Sequence, residues 1–162
     1  MKKLLIAAIA LGSVLTFSCK KDYQQPHQLF IGATLKNVSW IAQPTTSYID
    51  NNDSLLVQGF HPQGEQNLAF KIKFTGPGTY SLTGTQAYYF TTVGSDAISS
   101  QYQLDPTQTS SVTFTSYNIG TNIAEGRFEI HLQKIVGGAA FDNTLSFTSG
   151  QFWMQMPAVP GQ

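Results

Sequence analysis

From Leu29 onward, apolar and polar side chains alternate with a period of two over short stretches, and no run of ten or more residues sustains helical spacing. The alternation is clearest over Asn67–Phe74. There Leu68, Phe70, Ile72 and Phe74 point one way and Ala69, Lys71 and Lys73 the other, as in a half-buried strand. It recurs over Glu125–Gln133, where Phe128, Ile130 and Leu132 alternate with Arg127, Glu129, His131 and Gln133. Less regular strands are predicted over Leu29–Leu35, Val38–Ala42, Ser54–Phe60, Thr79–Thr83 and Ala87–Val93, then over Gln101–Asp105, Ser111–Tyr117, Thr144–Thr148 and Gln151–Met156.

Turn-forming residues separate these segments, among them Lys36-Asn37, Gly76-Pro77-Gly78, Asp105-Pro106, Gly137-Gly138 and Ser149-Gly150. Short connections imply antiparallel neighbours, and one-sided strands need a second apolar layer. The expected fold is therefore all-β, an antiparallel two-sheet β-sandwich of about ten short strands. A closed or partly open β-barrel is the alternative that strand spacing leaves open.

The N-terminus obeys a different pattern. Met1-Lys2-Lys3 precedes an apolar run from Leu4 to Phe17, then Ser18 and Cys19, the layout of a secretory signal. The run falls short of the ~20 residues that span a bilayer. Cys19 is the sole cysteine, so no disulfide forms within the chain, and its place after a small residue is that of a lipidated cysteine. The expected organisation is a signal peptide over 1–18, a lipidated flexible tether over 19–28, one all-β domain over 29–157 and a short tail over 158–162. A membrane is thus the first partner, reached through the N-terminal lipid, and the expected location is the cell envelope, on the periplasmic side of the outer membrane or at the cell surface.

Composition narrows the partners further. Charged residues make up 11% of the chain, well below the usual ~25%. Removing Lys2 and Lys3 from the nine basic residues leaves seven against nine acidic ones, a net charge of −2. Nucleic-acid binding has no electrostatic support in such a chain.

Candidate chemistry is sparse. No Gly-x-Ser-x-Gly, His-Glu-x-x-His or phosphate-binding glycine loop occurs, and no cofactor is implied. The best polar row is Arg127, Glu129 and His131 on one strand face, where Glu129 could fix the tautomer of His131. Two such ligands without a third do not hold zinc, so no metal is expected. The loop Asp50-Asn51-Asn52-Asp53 carries calcium-type oxygens but lacks the EF-hand glycine, and reads as a hairpin connection. Aromatic side chains are the richer signal. Trp40, Tyr88, Tyr89 and Trp153 are candidates for exposed rings on a weakly charged surface, of the kind that stack sugars.

The segment Ser18-Cys19-Lys20-Lys21-Asp22, followed by Phe30, Ala33, Asn37, Trp40 and Ala42, resembles the start of small Bacteroidetes lipoproteins of unknown function. Gly78-Thr79-Tyr80-Ser81-Leu82 is similar to their Gly-x-Tyr-x-Leu strand. The Gly-x-Phe of Gly126–Phe128 and Gly150–Phe152 is similar to their closing strand pair. The resemblance implies an all-β envelope domain without an established activity. Two functions follow as expectations: a non-catalytic binding or structural module for a glycan, peptide or partner protein, or else an envelope hydrolase using Glu129, or Glu125, with His131.

Overall fold

The computed structural model describes residues 28–49, 54–61 and 65–157. The signal segment, Cys19, most of the tether, the 50–53 loop and the tail from 158 lie outside the described residues. Ten strands are present: β1 Phe30–Leu35, β2 Val38–Ile49, β3 Ser54–His61, β4 Gln66–Ile72, β5 Gly78–Leu82, β6 Ala87–Val93, β7 Ala97–Leu104, β8 Ser110–Asn118, β9 Ile123–Val136 and β10 Thr144–Gln155. All pairings are antiparallel, so the all-β expectation holds.

The strands form one sheet in the order β10-β1-β2-β3-β4-β6-β7-β9-β8-β5, and β10 also pairs with β9. That last pairing curls the sheet into a ring, so the two apolar layers come from one sheet folded back on itself. The ring is not a clean barrel because β9 forks. Its N-terminal half pairs with β8 through Ile123–Glu129 and its C-terminal half with β7 through Leu132–Val136, while its other edge runs along β10. At the fork, the backbone of His131 would lose its ladder partners. Its carbonyl instead accepts from the Asp105 N–H at 3.0 Å, and its N–H donates to Ser110 Oγ at 2.9 Å. Buried backbone polar groups are thereby satisfied.

Alternation explains which side chains fill the ring. Leu68, Phe70 and Ile72 of β4 and Phe128, Ile130 and Leu132 of β9 all point inward and are buried. Across the interior Phe70 meets Phe128 at 6.2 Å, and Phe147 receives both Tyr89 and Trp40 at 5.2 Å. A second aromatic group, in which Phe114 contacts Phe74 at 4.8 Å and Phe152 at 4.9 Å, ties the β5–β8 extension to the ring. The β1–β2 connection is the expected Lys36-Asn37 turn, with φ of 52° and 61°, the left-handed pair that a type I′ hairpin requires.

The two segments predicted over Thr144–Thr148 and Gln151–Met156 are one strand, β10. Relative to β9 its register slips between Phe147 and Gly150, inserting one extra residue, and Ser149 there has φ of 52°. The bulge reverses the phase of the alternation. Leu145 and Phe147 point inward before it, and Gly150, Phe152 and Met154 after it.

Candidate functional site

Two bulges flank β9 at successive levels, one in β10 opposite Phe128–Ile130 and one in β8 opposite Glu125–Gly126. Two inward glycines lie beside them. Gly126 of β9 pairs with Phe152 and Gly150 of β10 pairs with Phe128, so each phenyl covers the glycine on the neighbouring strand. A Cβ at Gly150 would stand 2.5 Å from the carbonyl oxygen of Phe128 and 2.6 Å from its ring. One at Gly126 would fall inside the contact distance of the Thr113 carbonyl oxygen and of Phe152 Cζ. The recurring Gly-x-Phe is thus a reciprocal cross-strand packing. Bulges and glycines together are the devices that bend a sheet.

On the outside of this bent region lies a concavity of about 720 Å³. Register orders its floor into three cross-strand rows. Ser111 of β8 is opposite Glu129, Thr113 and Gln151 lie on either side of Arg127, and Trp153 of β10 lies between Glu125 and Phe30 of β1. Successive rows are two residues apart, about 6.6 Å along the strand. Glu125 and Trp153 are half-buried, and Arg127 and Glu129 are exposed. Among the described residues, no hydrogen bond or ion pair engages the side chain of Glu125 or Arg127.

The candidate polar row therefore divides. Arg127 and Glu129 line the concavity, whereas His131 stands beyond its end, at the fork. Glu129 Oε1 lies 3.3 Å from His131 Nε2, and His131 Nδ1 lies 2.9 Å from Ser146 Oγ, its direct cross-strand neighbour. Sequence reasoning found the Glu129–His131 pair but missed Ser146 of β10, Ser110 of β8 and Asp105 just after β7, which all reach His131. Asp105 caps its own turn: Oδ1 accepts from the Thr107 hydroxyl at 2.7 Å and from the Thr107 N–H at 2.9 Å. These bonds hold its carboxyl below its ordinary value of 3.8, with a smaller contribution from nearby His131.

The candidate aromatics divide as well. Trp40 and Tyr89 are each only 3% exposed, a correction to the expectation that they lie on the surface. The Trp40 indole reaches over Gly59, where a Cβ would meet its ring at 3.0 Å, and packs edge-on against Phe147. Tyr89 packs against Phe147 and Tyr102, and burial pushes its phenol far above its usual 10.0, with Tyr102 adding to the shift. Tyr88 is half-buried and faces outward on β6, stacked on Phe90 at 6.2 Å and over Ala69. It is three strands round the ring from β10, so it shares no surface with Trp153. Among the described residues, no group of three or more His, Cys, Asp or Glu side chains is arranged to hold a metal ion.

The floor, then, offers carboxylate acceptors, guanidinium and amide donors, hydroxyls and one indole within a shallow open depression. No curated protein and no solved structure matches the chain. Over residues 28–157, which include all ten strands, the chain matches and belongs to a family described as a domain of unknown function, DUF6252.

Proposed function

We propose that this protein is an envelope lipoprotein, cleaved before Cys19 and held to its membrane by lipid on that residue, whose β-domain is a non-catalytic binding module for a glycan, peptide or partner protein. One observation carries the binding reading: the concavity over β8, β9 and β10, where Trp153 and Phe30 border a floor in which Glu125 and Arg127 are uncommitted to other described side chains. The half-buried Glu125 carboxylate, without a described internal partner, gains from an external donor. The test is direct binding by the purified full chain on glycan and peptide arrays, with Trp153→Ala as the matched variant. Binding that survives Trp153→Ala unchanged counts against the concavity as the site. For the anchor, Cys19→Ser is expected to move the protein from the membrane pellet to the soluble fraction, and retention in the pellet would refute it.

A second reading, hydrolysis using Glu129 and His131, has the continuous contact Glu129–His131–Ser146 in its favour. It ranks below binding because the backbone of His131 closes the fork and the three side chains lie on an outward sheet face. Nothing there excludes water or supplies an oxyanion donor set. Covalent labelling of Ser146 by a fluorophosphonate, abolished in Ser146→Ala, would reverse that ranking.

A further inference from the structure

We infer that the concavity on β8, β9 and β10 takes a neutral saccharide chain, an inference that rests on the binding-module reading above and names its ligand class. The first argument is the backbone. Through the floor, β9 is paired on one edge with β10 and on the other with β8, and β10 is paired with β9 and β1. No main-chain edge is left there for an extended peptide to extend the sheet, so strand addition is closed to a ligand lying across the floor. The second is apolarity. Of the aromatic residues lining the concavity, Phe128 and Phe152 are buried in the ring, which leaves Phe30 and Trp153, at one end of it, too few to seat the apolar stripe of an amphipathic helix.

The third argument is charge. Arg127 lies two residues from Glu125 on one side and from Glu129 on the other. An anion drawn to the guanidinium meets two carboxylates, and a cation drawn to the carboxylates meets the guanidinium. A neutral ligand that donates and accepts in alternation satisfies all three. Saccharide hydroxyls do both: they donate to Glu125 and Glu129 and accept from Arg127 and the Gln151 amide. Such charge-assisted bonds are the stronger kind. The positively polarised C–H groups of a pyranose then pack against the part of the Trp153 indole that lines the concavity, directly opposite Glu125 in register. The three rows span about 13 Å along β9, so the floor accommodates a short run of sugar units rather than a single ring. The volume, about 720 Å³, is within the ordinary range of small-molecule sites.

The test sets the full chain against neutral oligomers of glucose, mannose, galactose and xylose, alongside oligogalacturonate and a peptide array. Saturable binding to at least one neutral oligomer is expected. Trp153→Ala and Glu129→Gln should each weaken it by about tenfold or more. Tyr88→Ala, on another part of the ring, should leave it unchanged, and equal urea midpoints for all variants exclude unfolding as the cause. Binding of oligogalacturonate alone, or of peptides alone, that still depends on Trp153 would overturn the saccharide class while leaving the binding module standing. Binding indifferent to Trp153 and Glu129, or no binding to any probe, would overturn both.

Discussion

Replacing Gly126 by Ala probes the bend that creates the concavity. The added methyl group meets the Thr113 carbonyl oxygen on β8 and the Phe152 ring on β10 at once, with Phe152 Cε1 at 2.8 Å. A ring can rotate away, but a ladder carbonyl cannot move without breaking the β8–β9 pairing. Overpacking of this kind costs about 1–3 kcal/mol, and the backbone clash places Gly126→Ala at the top of that range, about 3 kcal/mol. A domain of this size has roughly 5–15 kcal/mol of stability, so the midpoint of thermal unfolding should fall by roughly 10 °C. The control is Gly138→Ala, where a Cβ meets nothing within 4 Å, and which should be neutral or slightly stabilising. The assay is urea unfolding with linear extrapolation, followed by the fluorescence of buried Trp40, with an unchanged m-value. Gly126→Ala combined with Phe152→Ala should be less destabilised than the sum of the two single changes, because the ring is one of the two groups struck, yet the Thr113 clash should persist. A Gly126→Ala midpoint equal to that of Gly138→Ala would refute the close packing inferred at this site.

Other outcomes follow from single contacts. The Tyr89 phenol is raised in the folded state, so its contribution is complete below pH 10 and is lost as pH climbs toward its folded value. Tyr89→Phe should therefore flatten the alkaline fall in stability, measured as urea midpoint between pH 9 and about 11. The Asp105 carboxyl is lowered, so its contribution is present above its ordinary 3.8 and is lost as pH falls below that value. Thr107→Val should move its titration upward in carboxyl NMR, and an unmoved resonance would show that the hydroxyl is not the cause. The Tyr80 hydroxyl donates to the Gly76 carbonyl at 2.5 Å and accepts from the Thr75 N–H at 3.0 Å, fastening the Gly-Pro-Gly turn. Tyr80→Phe should cost about 1–2 kcal/mol in chemical denaturation, and no change would show the turn to be held by packing alone.

Much of the fold was legible from alternation, because β9 buries every second residue and β4 turns Leu68, Phe70 and Ile72 inward, although Ala69 on the other face of β4 is also buried, beside its cross-strand partner Tyr88. The β10 bulge was not. It shifts the phase between Phe147 and Gly150, so one strand read as two, and the turn-like Ser149-Gly150 reinforced the error. Trp40 and Tyr89 were misplaced for a different reason. In β2 the apolar Val38 and Ile41 near Trp40 are both exposed, Val38 on the same side of the strand as Trp40, while in β6 aromatics occupy both faces, so period alone cannot say which is inside. Gly59 was the available signal for Trp40, since a glycine on an apolar strand marks close approach. The polar row was visible, but not its division between concavity and fork. That depends on Asp105, Ser110 and Ser146, which come from three other parts of the chain. The concavity itself joins β1, β8, β9 and β10, and no local pattern announces a surface assembled from separate strands.

The two tryptophans give the most direct test of the central claim, that the outer surface of β8, β9 and β10 is where this protein binds its ligand. In a ¹⁵N-labelled sample each indole N–H contributes one resonance, Trp153 reporting on the concavity and buried Trp40 serving as the internal control. Titration with a neutral oligosaccharide that binds should shift the Trp153 indole signal and the amides of Glu125–Glu129 along one saturable curve while Trp40 stays in place. A Trp153 signal that stays still while amides on another part of the ring move would contradict the account.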